Sequence, residues 1–178
     1  MNRIGFLLRP FVCVALLSAV AVLAQQQPAA EMKAPVPPAI LTAKTIFVSN
    51  AGSDSGLFPS PFSGNTDRSY NQFYAALKAT GQFELVADPG EADMVLELQL
   101  IAPNGPSEGS KQKGASEPLP MFRLVVYDRK TRYALWTLTR SIQIAYLQKT
   151  HDRNFDSALS ALLLDFETLT SKAPTAAH

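Results

Sequence analysis

The sequence is poor in the residues on which many enzymes and metal proteins depend. Of its 178 residues, one is cysteine and two are histidine. The single cysteine, Cys13, excludes an intramolecular disulfide, and its place in the apolar N-terminal segment predicts a mature chain without a thiol nucleophile or a thiolate metal ligand. The formal net charge is only +1. Because nucleic-acid binding normally needs a strongly basic face, we expect no nucleic-acid partner.

Residues 1–24 have the pattern of a secretory signal peptide. Arg3 and Arg9 precede a long apolar run, and the small residues Val22 and Ala24 stand at the −3 and −1 positions of a cleavage site. The run is shorter than the about 20 apolar residues of a membrane-spanning helix. We therefore expect cleavage after Ala24 and a periplasmic or secreted protein that does not span a membrane. Cleavage removes two basic residues and no acidic one, which leaves 14 basic and 15 acidic side chains and a net charge of −1.

The surroundings of Cys13 differ from those of a lipid-accepting cysteine. A lipoprotein signal places a box of small residues just before the cysteine, whereas Arg9-Pro10-Phe11-Val12 precedes Cys13. The sequence therefore predicts a protein that is not a lipoprotein.

The rest of the chain divides into three parts. Residues 25–39 contain four prolines and no apolar periodicity, which predicts a disordered leader. Residues 40–170 are long enough to build one hydrophobic core, so we expect a single domain there. Residues 171–178 are predicted to form a disordered tail.

Apolar periodicity within residues 40–170 predicts five strands and two helices. Alternating or short apolar runs mark strands at 44–49, 83–86, 94–101, 122–127 and from Trp136 onward, and Asn50 to Asn65 has no regular pattern. One helix face is formed by Tyr70, Phe73, Tyr74 and Leu77, with Ser69 as its cap and Gly81 at its end. A second apolar stripe runs from Phe155 to Leu169, with Asp152 or Asn154 as the expected cap.

Two helices are too few to cover both faces of a long parallel sheet. The fold class is therefore predicted as α+β, with two layers: a mixed, mostly antiparallel sheet of about five strands and two helices packed on one face. Arg140 lies on the apolar face of the last strand. We interpret it as the point where the strand leaves the core or as a β-bulge, with a buried ion pair or a ligand contact as the alternative.

Four sequence segments together resemble a group of bacterial envelope proteins. They are AALKATGQFELV, EADMVLELQL with its Ala92-Asp93 opening, FRLVVYDRKTRYALW and FDSALSALLLDFETL. The group comprises the TolB amino-terminal domain, the curli-secretion lipoprotein and the penicillin-binding-protein activator lipoproteins. The resemblance covers residues 44–170 and implies a non-enzymatic accessory domain, without a cofactor, that binds another envelope protein or a cell-wall component. The chain departs from the group in its long loop at 103–120 and in lacking the lipid-accepting cysteine.

A small secreted serine hydrolase is the alternative function. Ser53 and Ser55 stand in the glycine-flanked segment Gly52–Gly56, and His151 is the available base. However, a nucleophile elbow has serine at the centre of G-x-S-x-G, and the centre here is Asp54. His151, Asp152 and Asp156 also fall short of a metal site, because structural zinc takes four ligands and a calcium loop five or more oxygens at regular spacing. They are better explained as cap and first-turn residues of a helix. We expect no metal.

The two long loops contain the candidate partner contacts. Leu57, Phe58 and Phe62 are apolar residues among Gly, Ser and Pro, and exposed apolar groups in loops mark interaction sites. Lys111 and Lys113 in the other loop are predicted to add positive charge. The alternative for Leu57, Phe58 and Phe62 is that they fold back as a lid on the end of the sheet or on the first helix.

Overall fold

The computed structural model describes residues 34–103 and 119–171. The predicted signal peptide, residues 25–33 of the predicted leader, loop residues 104–118 and the tail from residue 172 lie outside the described residues. In chain order the elements are α1 (Pro38–Thr42), β1 (Thr45–Ser53), a 3-10 turn (Ser55–Leu57), α2 (Arg68–Thr80), β2 (Glu84–Leu85), β3 (Met94–Ile101), β4 (Met121–Asp128), β5 (Ala134–Ser141) and α3 (Gln148–Ser171). None of the helices in these two segments combines the length and the apolarity of a membrane span.

The strands form one five-stranded sheet in the order β2-β1-β3-β4-β5. β1 is parallel to β2 and β3, and β3–β4 and β4–β5 are antiparallel. The predicted α+β class and the mixed five-stranded sheet are confirmed. Two of the four pairings are parallel, so the antiparallel part is the β3–β4–β5 meander.

The core lies between one face of the sheet and the helices. Along β3 every second side chain is buried, and the alternate side chains, which point to the opposite face, are half-buried. The fully buried aromatic side chains in this core are Phe62, Phe73, Phe122, Phe155 and Phe166. Each large apolar side chain removed from water contributes about 1.5–3 kcal/mol, so the burial of these rings stabilises the fold.

Helix α1 was not predicted from the sequence. Pro38 occupies the start of this helix, where proline is favoured because its missing N–H would have no helical partner. Ile40 is buried in the core, and Val36 packs against the core. The last two residues of the predicted leader, 38 and 39, are therefore helical, and the chain enters the fold slightly earlier than expected.

Strand β1 is longer than its predicted span of 44–49. It continues to Ser53 through a register shift between Asn50 and Ser53, where one extra residue is inserted opposite β3. Gly52 takes φ +87° at this bulge, a conformation that glycine adopts without strain. Its N–H is bound by the side-chain oxygen of Asn50 at 2.9 Å. Gly52, which the sequence placed in an irregular segment, thus lies within the strand.

The helix starts also differ from prediction, whereas one helix end agrees with it. Helix α2 begins at Arg68, so Ser69 lies inside the helix rather than at its cap. Gly81 ends α2 with φ +64°, as predicted. Helix α3 begins at Gln148, so Asp152 is an interior helical residue rather than the cap.

Arg140 joins the edge of the sheet to a helix. It shares the core face of β5 opposite Phe122, and its guanidinium forms a bidentate ion pair with Asp165 of α3. The bulge in the β4–β5 pairing lies instead between Val126 and Tyr127. The bulge interpretation of Arg140 was therefore wrong, and the ion pair is partly exposed rather than buried.

Candidate functional site

The loop between β1 and α2 is folded onto the core. Leu57 and Phe62 are buried, and Phe58 is half-buried against the core cluster. The ring of Phe62 lies 5.2 Å from that of Phe155 in α3, and the ring of Phe58 lies 6.4 Å from it. The loop thus folds back as a lid, but these ring contacts are to α3 rather than to the end of the sheet or the first helix, as the sequence had left open. The expectation of an exposed contact surface is corrected for Leu57 and Phe62, because burying them against Phe155 removes their apolar area from water.

An ion-pair cluster holds this lid to the helices. Arg68, at the start of α2, donates to the backbone oxygen of Ser63 at 2.9 Å, to Asp152 Oδ1 at 2.5 Å and to Asp156 Oδ1 at 2.8 Å. The Ser63 N–H donates to Asp152 Oδ1 at 3.0 Å. The Arg68 guanidinium also lies 4.2 Å from the centre of the Phe155 ring, which adds a cation–π contact.

The charge of Asp152 is maintained although its carboxylate is partly buried. Burial alone raises the pKa of Asp152, but the hydrogen bonds from Arg68 and Ser63 and the positive charge of Arg68 outweigh it and hold the pKa below its usual value. Asp152 therefore stays ionised at neutral pH and serves as the acceptor that fixes both the loop and α2.

The connection between β5 and α3 lies beside the lid and carries exposed apolar groups. Tyr146 is fully exposed, and Leu147 is 69% exposed. Gln148, the first residue of α3, donates from Nε2 to the Pro61 oxygen in the lid at 2.8 Å. His151 Nε2 lies within hydrogen-bonding reach of the backbone N and O of Ala145. The backbone that carries the two exposed side chains is thus flanked by a hydrogen-bonded residue on either side.

Sequence reasoning missed Tyr146 and Leu147. The last strand was predicted from Trp136 onward with no stated end, but β5 ends at Ser141, and Ile144 beyond it is 48% exposed. Tyr146 follows Ile144 by two residues, so it continues the period-two pattern of the last predicted strand. The pattern therefore gave no signal that Tyr146 is a surface residue.

The residues of the hydrolase alternative are not brought together by any hydrogen bond. Ser53 Oγ donates to the Thr66 oxygen at 2.7 Å and lies 2.9 Å from Ser69 Oγ. His151 is buried, and its Nε2 is engaged by Ala145, whereas no described residue bonds to its Nδ1. A general base must reach the nucleophile over hydrogen-bond distance. The two groups instead fix separate parts of the backbone.

The acidic residues near His151 are likewise committed to other partners. Asp152 and Asp156 both bind Arg68. Within residues 34–103 and 119–171, no group of three or more His, Cys, Asp or Glu side chains is arranged to hold a metal ion. The candidate contacts Lys111 and Lys113 lie outside the described residues, so their role stays a prediction.

Comparison with known proteins identifies structural similarity at low sequence identity. No family model matches the chain, and no curated protein matches it. A DUF4136 family protein from Bacteroides thetaiotaomicron is 14% identical over 75% of this chain and 92% of its own, with a TM-score of 0.47. The LpoB C-terminal domain from Salmonella enterica is 14% identical over 62% of this chain and 96% of its own, with a TM-score of 0.36.

A third similar structure is a lipoprotein from Neisseria meningitidis. It is 13% identical over 70% of this chain and 98% of its own, with a TM-score of 0.37. All three similarities are below 25% sequence identity and concern the fold alone. Cys13 lies outside the described residues, and the absence of a lipid anchor stays a prediction.

Proposed function

We propose that the chain is a non-enzymatic accessory module of the bacterial envelope that binds another envelope protein through the β5–α3 connection. The observation that carries the proposal is the exposure of Tyr146 and Leu147, two neighbouring large apolar side chains. Adjacent exposed apolar groups are typical of interaction sites, and aromatic residues are enriched in the cores of interfaces.

The connection is also ordered before any partner binds. Gln148 holds its C-terminal end to Pro61, and His151 holds Ala145 immediately before the exposed pair. Ordering a mobile side chain or loop at an interface costs about 0.5–1.5 kcal/mol for each side chain that is immobilised. A connection fixed at both sides avoids much of this cost, which favours a binding role for it.

The location in the envelope and the class of partner rest on separate supports. The predicted signal peptide at 1–24 and the sequence resemblance support an envelope location. An apolar pair of a phenol and an isobutyl group suits a protein surface better than a polar glycan, so a protein partner is favoured over a cell-wall component. Phe58 remains a candidate contact, and Lys111 and Lys113, which lie outside the described residues, remain candidates from the sequence alone.

The proposal is tested by site-specific photo-crosslinking in intact cells of the native host. A benzophenone amino acid replaces Tyr146 in one strain and the exposed Leu164 of α3 in a second, matched strain. We expect a discrete crosslinked species from position 146, identified by mass spectrometry as a second envelope protein, and none from position 164. Adding Leu147→Ser should abolish the species, because it removes the apolar neighbour from the contact.

Two results would overturn the proposal. One is equal crosslinking at positions 146 and 164, which indicates nonspecific contact. The other is a Leu147→Ser variant that loses the crosslinked species and also has a lower melting temperature as purified protein. Leu147 would then act through folding. Co-sedimentation of the protein with isolated cell walls that depends on Tyr146 would replace the protein partner with a cell-wall component.

A further inference from the structure

A groove of about 480 Å³ lies on the sheet face that points away from the helices. Its floor includes Val95, Glu97 and Tyr127, and its rim includes Pro89, Arg129 and Arg132. We call it the turn groove because the β4–β5 turn forms one side. Its volume falls within the range of small-molecule and peptide-end sites, which is roughly 300–1,000 Å³.

The floor of the turn groove combines apolar surface with the carboxylate of Glu97, and Asp128 also lines the groove. Val95 of β3 and Tyr127 of β4 are direct register partners, so their side chains lie next to each other. Glu97 follows Val95 by two residues and therefore shares its face. It is half-buried, and its closest described partner is the Tyr127 hydroxyl, which donates to Oε1 at 3.4 Å. None of the ion pairs among the described residues involves Glu97.

The turn that carries the two arginines is fixed by Asp128. The N–H groups of Lys130 and Thr131 donate to the Asp128 carboxylate, each at 3.2 Å, and the Thr131 hydroxyl donates to it at 2.6 Å. Arg132 takes φ +63°, a left-handed conformation that is uncommon for a residue other than glycine. Its N–H donates to the Asp128 backbone oxygen at 2.7 Å. Backbone strain of this kind persists only where the surroundings enforce it, and it is frequent in binding sites.

Both arginines on this turn are exposed, and of the two only Arg129 has a side-chain hydrogen bond to a described residue. Arg129 Nε donates to the Ala92 oxygen at 3.1 Å, which orients the group beside the groove. No residue in the described segments accepts a hydrogen bond from the Nη atoms of Arg129 or Arg132. Arg129 and Arg132 both line the groove, and a guanidinium group with available N–H donors matches the planar, charged acceptor of a carboxylate.

We infer that the turn groove binds the C-terminal end of a peptide. The terminal carboxylate accepts hydrogen bonds from Arg129 and Arg132, the last side chain packs on Val95 and Tyr127, and a peptide N–H donates to Glu97. A phosphate group fits less well, because its second negative charge would lie near the half-buried Glu97 carboxylate in a site of reduced dielectric. The groove thus selects a singly charged anion with an apolar body and a nearby donor.

The inference is tested by ¹⁵N NMR titration of the purified mature chain. The probe is N-acetyl-Ala-Leu-Leu with a free carboxylate, compared with the same peptide as its C-terminal amide and with sodium acetate. We expect saturable shifts of the Arg129 Nε–H and of the Val95 and Tyr127 amides with the free acid. The amide should bind at least tenfold more weakly, because charge-assisted hydrogen bonds to the carboxylate are lost.

Three variants complete the titration. Arg129→Gln and Arg132→Gln should each weaken binding of the free acid at least threefold while leaving the rest of the spectrum in place. Arg153→Gln, which removes an exposed arginine of α3, is the matched control and should bind like the parent. Any of four results would overturn the inference. Two concern the carboxylate: equal binding of acid and amide, or shifts with acetate as large as those with the peptide. The others are tighter binding of inorganic phosphate and the lack of a saturable shift at 10 mM peptide, which limits the binding free energy to about 2.7 kcal/mol.

Discussion

At the scale of single residues, Arg68 does most to hold the candidate site in place. It is 13% exposed, and its partner Asp152 is 23% exposed, so the pair lies at the boundary of the core. Its bonds join α2, the lid and α3, which are far apart in the sequence. The sequence predicted Asp152 or Asn154 as a helix cap, because a cap and an interior polar residue near a helix start have the same local pattern. Only the tertiary partner distinguishes them.

Replacing Arg68 by methionine should destabilise the protein. The methionine retains much of the packing on Phe155 but leaves Asp152 without its cation, so we expect a loss of about 2 kcal/mol in the free energy of unfolding, less than the roughly 3–5 kcal/mol of a fully buried pair. Urea denaturation monitored by circular dichroism measures the change as a lower midpoint at constant slope.

The control for this prediction is Arg140→Met, which breaks a more exposed ion pair with Asp165. Because water and salt screen exposed pairs, we expect a much smaller shift of the midpoint than for Arg68→Met. Equal shifts for the two variants would show that Arg68 acts as an ordinary surface charge and that the lid is held by its apolar contacts alone.

At the scale of elements, the starts of β1 and β3 are joined by one carboxylate. Asp93 Oδ2 accepts from the N–H groups of Lys44 at 2.8 Å and Thr45 at 3.1 Å. The Asp93 N–H in turn donates to Thr45 Oγ1 at 2.9 Å. The Ala92-Asp93 opening, noted in the sequence as part of a resemblance, thus has a structural cause: the acid binds the backbone at the start of the neighbouring parallel strand.

These contacts predict a pH dependence of stability. The N–H groups of Lys44 and Thr45 bind the ionised form of Asp93 and lower its pKa below the usual value. A lowered folded-state pKa means that the stabilisation is present above the unfolded-state pKa of about 3.9 and is lost as the pH falls through the folded-state value. Asp93→Asn should therefore be less stable than the parent at pH 6, and the difference should shrink as the pH falls from about 5 to 3.

Urea denaturation of both proteins across this pH range measures the difference. Glu91→Gln provides the control, because Glu91 is an exposed acid next to the same strand start. A constant difference between parent and Asp93→Asn at all pH values would contradict the prediction, since the contribution of Asp93 would then not depend on its charge.

The elements also show how far the sequence determines the fold. The alternation of Met94 to Ile101 predicted β3 correctly, because period two directly reflects the two faces of a sheet. The burial of Phe62 could not be decided in the same way, since a lone aromatic residue in an irregular loop has no period. Its position depends on Phe155 and Arg68, which are distant in sequence. Local apolar patterns thus predict the strands, whereas the position of a loop residue depends on partners that are distant in the sequence.

At the scale of the whole sheet, the two proposed surfaces lie at opposite ends of the strands. Asp128, at the C-terminal end of β4, pairs with Met94, so the turn groove is at that end. Met121, at the other end of β4, pairs with Ser141, after which the chain enters the β5–α3 connection. The eight residues of β4 extend about 24 Å at about 3.4 Å per residue.

This separation predicts that the two surfaces act independently. Substitutions more than about 7–10 Å apart without shared partners have effects that add to within about 0.3–0.5 kcal/mol. Arg129→Gln should therefore leave crosslinking from position 146 unchanged, and Tyr146→Ser with Leu147→Ser should leave the peptide affinity of the turn groove unchanged. A variant with all three substitutions should lose both activities, and its free energy of unfolding should equal the sum of the separate effects.

The measurements are crosslinking yield in cells, NMR titration and urea denaturation of the same variants. A weaker peptide affinity in the Tyr146→Ser, Leu147→Ser variant would mean that the two ends are coupled through the sheet. Because the core face of β4 is buried between Phe122 and Val126, such coupling would require a shift of packed side chains, visible as altered amide signals along β4. If those signals stay fixed while both binding activities change independently, the sheet is a rigid spacer between two separate binding surfaces.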